Sequence, residues 1–477
     1  LPPSTDKGGQ KIPFPDIAIG SVKSMIGHTK AAAGAAGIIK AALALHHKVI
    51  PPTLKADEPD PDLDINKSCF YLNQRSRPWV IPENNMVPRR AGVSAFGFGG
   101  SNFHVVLEEH TPEKDHVSWD GSVQIAAFSA RDTDALYKDI EAFKTALMPD
   151  FPADDEEMQD LIARACAASR NAFKPDDPFR ALMVLNKTDD PVALADTACT
   201  AVQQNRSATG PVYFGTGPLP GKLGFLFPGQ GSQYPDMGKD LFAVFPEAMN
   251  VLEQAQHIFS AHPLDTADPE TPVSDLAGLM FAQPRHRQEK SVSEARLRHT
   301  HAAQMAIGTL SLAMIRVLKR FNVSPHMTCG HSFGELPALY AAGWMDDATL
   351  LNLAAVRGKL MARTGGTGSD TGGMLAVQAP LTDIDTWIKD RFSDLVLANR
   401  NSPDQGVLSG PTPAIDQAAK WCKKNKVRCI KLPVAAAFHS PLVADAATPF
   451  HRFVAEQRFS PTDIPVLRSE ERRVGKE

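Results

Sequence analysis

Gly330-His331-Ser332-Phe333-Gly334 fits G-x-S-x-G, a pattern that puts a serine on a sharp turn between a strand and a helix. The neighbouring residues have the periodicities such a turn needs. Met327 to Cys329 reads as a short strand, Glu335 to Ala342 as a helix stopped by Gly343, and Ala302 to Phe321 as an earlier helix with Ile307, Leu310, Met314, Leu318 and Phe321 on one stripe. Glycines flanking Ser332 permit the tight turn, and the helix behind it favours developing negative charge. A nucleophilic serine needs a base, and the candidate is His439, on a loop after an apolar run that begins at Leu432; a lone histidine is as readily a satisfied structural residue. An oxyanion also needs N–H donors, and the turn Pro228-Gly229-Gln230-Gly231-Ser232, after an apolar strand from Leu223 to Phe227, could supply one. Together these residue types suit acyl transfer through Ser332.

A chain of 477 residues is long enough for about three domains. Its 43% hydrophobic and 22% charged residues are near the globular average, and no uncharged apolar run reaches the ~20 residues of a membrane span. Fifty Lys and Arg against 54 Asp and Glu leave a net charge of −4, so there is no basic excess for a phosphate backbone, and nucleic acid is not expected as a partner. The cysteines, Cys69, Cys166, Cys199, Cys329, Cys422 and Cys429, show no CxxC pair and no zinc-like clustering with histidine, so no metal is expected and free thiols in the cytoplasm are. The chain opens at Leu1 without a leader pattern and reads as part of something longer.

Composition divides it. The Gly- and Ala-rich first part ends near Glu109, and His110 to Asp120 is polar. Val123 to Ala127 and Ala181 to Leu185 read as strands and Arg131 to Leu147 and Val192 to Gln204 as helices, a small α/β unit followed by a Gly- and Pro-rich linker from Gly210 to Gly221. Helices then alternate with short strands to about Leu467, which predicts a parallel sheet covered by helices.

FPGQGSQ at 227 to 233, GHSFGE at 330 to 335, RGKLM at 357 to 361, GGML at 372 to 375, NSPDQGVLSG at 401 to 410 and AAFHSP at 436 to 441, in that order, closely resemble malonyl-type acyltransferase domains of fatty acid and polyketide synthases. The resemblance implies a ping-pong transfer in which Ser332 takes the malonyl group from malonyl-CoA, with His439 as general base, and passes it to the phosphopantetheine thiol of an acyl carrier protein. Gln230 and Phe333 would supply oxyanion N–H groups and His331 would line the pocket. Arg357, which alone reads as a solvated helix residue, would grip the malonyl carboxylate. Phe438 stands where such domains carry Phe for malonyl and a smaller residue for methylmalonyl. Met305 replaces the family's usual proline, a change not expected to touch chemistry.

Earlier, GSVKSMIGHTKAAAGAAGIIKAALALHHKVIPPT and GVSAFGFGGSNFHVVLEE look like the carboxyl-terminal third of a β-ketoacyl synthase of thiolase-type fold. That resemblance implies that His28 donates a hydrogen bond during decarboxylation, that Lys23 orders the site, and that Phe98 lies near the acyl entrance. Ala31 to Leu45 is dominated by small residues suited to close helix packing. The family's nucleophilic cysteine would lie upstream of Leu1, so condensation by this chain alone is not expected. The wording of HHKVIPPT, FYLNQRSRPW and LPVAAAFHSPLV is most similar to bacterial polyunsaturated fatty acid synthases.

The expected organisation is an α/β multidomain chain. It comprises a partial thiolase-like ketosynthase over 1–110, a small α/β linker domain over 111–220, and an acyltransferase over 221–467, with an α/β-hydrolase-like core and a small ferredoxin-like subdomain at about 365–432. Residues 468–477, RSEERRVGKE, read as a translated sequencing adapter, which would leave the acyltransferase short of its last elements. No cofactor is expected to be bound. The partners are malonyl-CoA, a carrier protein and, in an intact synthase, a second copy of the chain. Two other readings stay open: a freestanding serine esterase, which would release free acid to water, and a catalytically dead fragment, which would form no adduct on Ser332.

Overall fold

The structure, a computed structural model, describes residues 17–467 apart from 59, 64, 66–68, 82–87, 118, 149–153, 209, 218–220, 265–274, 283–286, 364–369, 433 and 435. The reading of 468–477 as an adapter scar lies outside the described residues, as do 1–16 of the expected ketosynthase part. The chain forms two compact units, one of residues 1–116 with 223–477 and the other of Val117–Lys222.

At the amino terminus, β1 (Ile17–Ile19) pairs in parallel with β3 (Phe70–Leu72), β2 (Val49–Ile50) is antiparallel to β4 (Arg77–Pro78), and β5 (Arg90–Phe96) forms a hairpin with β6 (Asn102–Glu108). Between β1 and β2 come a single turn, α1 (Lys23–Ile26), and α2 (Ala33–His47). The small residues of α2 have a physical cause: a Cβ at Gly37 would stand 2.9 Å from Val93 Cγ1, and one at Gly34 3.2 Å from Ala95 Cβ, so α2 lies directly against β5.

Among its described residues, the Val117–Lys222 unit is an antiparallel sheet with three helices. It runs β7 (Val123–Ala130), α3 (Thr133–Ala146), α4 (Asp155–Ala172), β8 (Phe179–Asn186), α5 (Pro191–Gln203) and β9 (Val212–Thr216), with sheet order β7-β8-β9. Aspartates start all three helices: Asp132 and Asp190 accept from backbone N–H groups, and Asp154 forms a capping box with Glu157. Part of the stretch read as a linker is strand, since β9 pairs with β8 in the register Val212 to Met183. Gly215 lies within that strand opposite Arg180, and Gly217 follows its end.

The large remainder of the first unit carries a parallel sheet of order β10-β11-β16, from β10 (Gly224–Phe227), β11 (Met327–Gly330) and β16 (Val466–Leu467). Its helices are α6 (Lys239–Val244), α7 (Pro246–Ala261), α8 (Leu276–Met280), α9 (Arg287–Arg298), α10 (Thr300–Arg320), α11 (Glu335–Ala341) and α12 (Asp347–Arg363). Met249, Leu252, Phe259, Met305, Leu312, Leu350 and Leu353 are among the side chains that fill this core. Helix α10 has the length and hydropathy of a membrane span, but most of it is buried in this core. The small sheet that follows is antiparallel, as a ferredoxin-like subdomain requires, although the alternation of helices and strands alone pointed to a parallel one. Its order β13-β14-β12-β15, from β12 (Gly373–Gln378), β13 (Val396–Ser402), β14 (Gln405–Gly410) and β15 (Arg428–Leu432), with α13 (Leu381–Arg391) and α14 (Thr412–Lys424) as crossovers, is the βαββαβ ferredoxin-like topology. The described chain closes with α15 (Ala447–Ala455) before β16.

A buried ion cluster ties the amino-terminal segment to α7. Glu109 accepts from Arg89 N–H at 3.0 Å, Arg89 NH1 at 2.7 Å and Lys48 Nζ at 3.1 Å, while Arg89 NH2 also pairs with Glu253 of α7. Arg89 Nε donates to Trp79 O at 2.6 Å and Lys48 Nζ to Thr111 O at 2.7 Å. Burial pushes the Glu109 carboxyl up, but the Arg89 backbone and guanidinium and the Lys48 ammonium outweigh it and hold the carboxyl below its usual range. A carboxylate so depressed contributes stability above its unfolded value near 4.5 and loses it as pH falls through the lower folded value. Glu109→Gln leaves Arg89 and Lys48 buried without their shared counter-charge. It should cost about 3–5 kcal/mol in urea denaturation at pH 7, and the gap from the parent chain should narrow as pH falls below 4.5.

Candidate active site

At the carboxyl end of β11 the chain turns sharply into a helical segment that opens with Ser332–Gly334 and continues as α11. His331 N–H donates to Phe227 O and Gly334 N–H to His331 O, both at 2.9 Å, so the turn is tied to the neighbouring strand β10 and to itself. Neither flanking glycine can be replaced without moving backbone. A Cβ at Gly330 would stand 2.1 Å from Gly334 O, and one at Gly334 2.2 Å from Phe227 O. Ser332 has φ of +53°, a left-handed conformation uncommon outside glycine, and this strained turn is what carries its hydroxyl at the strand's end.

Ser332 Oγ and His439 Nε2 are 2.9 Å apart. The histidine comes from the loop after β15, and it too is left-handed, with φ of +59°. That loop is pinned on both sides. Ala437 N–H donates to Thr371 O at 2.9 Å, Phe438 N–H to Ala436 O at 3.0 Å, and the buried Ser440 hydroxyl to Ala437 O at 2.6 Å. Gly372, with φ of +72°, packs so closely that a Cβ there would meet Ala437 Cβ at 2.6 Å. The ferredoxin-like sheet thus presents His439 to the elbow of the parallel sheet.

The glycine turn after β10 lies against the same serine. A Cβ at Gly229 would stand 2.5 Å from His331 O and 3.3 Å from Ser332 Cβ, which places the glycine turn, with the adjoining Gln230, beside Ser332. Gln230 Nε2 donates to Thr300 Oγ1 at 3.3 Å, and the Ser232 hydroxyl donates to Gly229 O at 2.9 Å. Phe333 occupies the first helical turn, where backbone N–H groups have no intrahelical acceptor. His331 reaches the other way: its Nε2 lies 3.5 Å from Asn399 Nδ2 on β13.

Arg357, on α12, is partly buried rather than solvated, and its NH1 donates to Gln304 Oε1 of α10 at 2.7 Å. Burial lowers the guanidinium pKa to about 10, against the opposing pull of the Glu335 carboxylate, so the group stays charged at neutral pH. The two helices are held at close range: a Cβ at Gly358 would be 3.0 Å from His301 Cα. Arg316 of α10 also clamps Asp347 at the start of α12 with bonds of 3.0 and 2.6 Å, and Tyr340 OH adds a third at 2.8 Å. Phe438 is buried with Met374, Ala398, Val407 and Ala436, and Met361 packs at the edge of that cluster.

Lys23, His28 and Phe98 are not part of this group. Lys23 starts α1, His28 follows it with Nδ1 accepting from Lys30 N–H at 3.0 Å, and Phe98 is fully exposed at the tip of the β5–β6 hairpin. Gln304 and Asn399 escaped the sequence reading. Gln304 was legible in principle, because it shares a face of α10 with Gly308, four residues on, where only a close neighbour explains the glycine. Met305, the departure from the usual proline, is buried in the core, and its carbonyl accepts from Thr309 Oγ1 at 2.8 Å. Among the described residues no cluster of His, Cys, Asp and Glu could hold a metal ion.

The model of the acyl transferase domain matches residues 224–472, that of the β-ketoacyl synthase C-terminal domain residues 8–57, and that of the ketoacyl-synthetase C-terminal extension residues 59–175. Among curated proteins, the spectinabilin polyketide synthase system protein NorB of Streptomyces orinoci is 33% identical over 94% of this chain and 19% of its own length. A polyunsaturated fatty acid synthase component from a Thraustochytrium species is 30% identical over 93% of this chain and 16% of its own. The chain therefore spans about a fifth or less of these relatives. Among solved structures, the acyl transferase domain of ZmaA has the same fold, with a TM-score of 0.53 at 20% identity, covering 74% of this chain and 73% of that one. With more than half its residues matched by the acyl transferase model, and a ketosynthase carboxyl-terminal domain and its extension ahead of it, the chain belongs to the acyl transferase domain family of polyketide and fatty acid synthases.

Proposed function

We propose that residues 221–467 load malonyl units, moving them from malonyl-CoA to the phosphopantetheine thiol of an acyl carrier protein by way of Ser332. The observation that carries this is the conjunction of a nucleophile–base pair at 2.9 Å with a half-buried, charged Arg357 on the adjoining helix. Ser332 Oγ attacks the thioester carbonyl as its proton passes to His439 Nε2, and the carbonyl oxygen becomes an oxyanion held by the N–H groups of Gln230 and Phe333. Collapse breaks the C–S bond, and the leaving thiolate takes the proton from His439. The carrier thiol then gives its proton to His439 and attacks the acyl-serine. Expulsion of Ser332 Oγ, reprotonated by His439, frees the enzyme. No cofactor takes part in either half.

Arg357 binds the free malonyl carboxylate, a task suited to a planar guanidinium with five donors of which Gln304 takes one. His331 lines the pocket, and Phe438 closes it to a branched acyl chain, a reading supported by its burial against Met374 and Val407. We assign residues 1–110 to a ketosynthase and 111–220 to a linker domain. In a complete dimeric synthase His28 would donate a hydrogen bond in decarboxylation, Lys23 would order that site, and Phe98 would lie near its acyl entrance. The exposed apolar side chains Phe96, Phe98 and Phe103 support further packing partners for that part.

Replacing Arg357 with Ala should lower malonyl loading by about 10²-fold or more while acetyl loading falls far less, read from initial rates with the two CoA thioesters. Equal losses would remove the carboxylate role. His439→Ala should slow the labelling of Ser332 by a fluorophosphonate by about 10²- to 10⁴-fold, followed by intact mass. Labelling at the parent rate would mean that the histidine is not the base.

A further inference from the structure

The residue after the nucleophile is a phenylalanine that is 1% exposed. A Cβ built at Gly308 would stand 3.2 Å from Phe333 Cζ and 3.5 Å from Ala354 Cβ, so the tip of the ring fills the hollow that the missing side chain leaves between α10 and α12. Arg357 is one turn beyond Ala354, and its guanidinium carbon lies 6.0 Å from the centre of the same ring, within reach of the cation–π attraction. Gln304, one turn before Gly308, accepts from that guanidinium at 2.7 Å. Gln304 and Gly308 on one helix, with Ala354 and Arg357 on the other, therefore frame ring and guanidinium together.

We propose that Phe333 is a positioning residue for Arg357: its ring, seated on Gly308, backs the guanidinium and fixes where an acyl carboxylate is held relative to the N–H that the same residue offers beside Ser332. Carboxylate recognition and oxyanion geometry are then set by one side chain and its backbone. A methyl at Gly308 would press on the ring tip, because 3.2 Å is tighter than ordinary van der Waals contact, and the guanidinium would shift with it. The inference rests on the reading of Arg357 as the carboxylate site.

The test compares the chain with its Phe333→Leu and Gly308→Ala variants, measuring malonyl and acetyl loading of Ser332 from the CoA thioesters by time-resolved intact mass. Phe333→Leu removes the aromatic face, and Gly308→Ala displaces it by a single methyl, which supplies the answer if the first variant fails to fold. The ratio of malonyl to acetyl loading should fall about tenfold in each, chiefly through a raised KM for malonyl-CoA. A ratio that stays at the parent value, with both rates lowered together as lost packing would lower them, overturns the proposal. The parent chain separates this claim from the one beneath it. If it prefers malonyl, the variants alone judge Phe333; if it has no preference, the carboxylate reading and the role of Phe333 fall together.

Discussion

The 2.9 Å contact between Ser332 Oγ and His439 Nε2 joins two pieces of backbone that are both left-handed, and much of the surrounding structure exists to hold them so. On the serine side, Gly330 and Gly334 give up side chains because carbonyl oxygens stand about 2 Å from where a Cβ would be. On the histidine side, Gly372 gives up its own so that the 436–440 loop can lie against the start of β12. Strain of this kind persists only where neighbouring contacts over-determine it. Here the contacts come from two sheets: the parallel one ends at Ser332, and the antiparallel one leads through β15 toward the loop that carries His439.

The second constraint is the close approach of α10 and α12. Gly358 lets the helices touch, the Arg316–Asp347–Tyr340 cluster fixes the start of α12, and Gln304 then meets Arg357. A half-buried guanidinium costs free energy unless something faces it, and here an amide oxygen, an aromatic ring and the charge of the Glu335 carboxylate offset part of that cost. On the proposed reading, the carboxylate of the acyl group completes this environment. Bond-making then sits at the ends of β10 and β11 and carboxylate recognition between α10 and α12, with Phe333 touching both.

Much of the site was legible because glycines and histidines announce themselves. GHSFG between a strand-like and a helix-like run has few structural explanations, and the α/β class followed from the alternation around it. Arg357 was less legible on its own, since a helix surface arginine looks the same whether or not a glutamine 53 residues away faces it. Long-range pairings of this sort leave no local pattern. Two elements of the small unit went unread: α4 carries a stripe of Met158, Leu161, Ile162, Ala165 and Cys166 at helical spacing, diluted by acidic and small residues, and β9 sits in a stretch where glycine and proline argue for a connection. The alternation of helices and strands does not distinguish the antiparallel sheet from the parallel one, because both are fed by helices; the ferredoxin-like subdomain was expected from the family resemblance alone, and its register agrees with that expectation.

The central claim is that Ser332 hands its acyl group to a thiol rather than to water. The direct measurement is a pulse and chase: brief exposure of the chain to labelled malonyl-CoA, then excess pantetheine or buffer alone, with the Ser332 peptide and the released products followed by mass spectrometry. The account predicts a malonyl ester on Ser332 that buffer discharges slowly and the thiol discharges quickly as malonyl thioester. Free malonate released at the same rate with or without thiol would make the site a hydrolase, and an unmodified Ser332 would contradict the account outright.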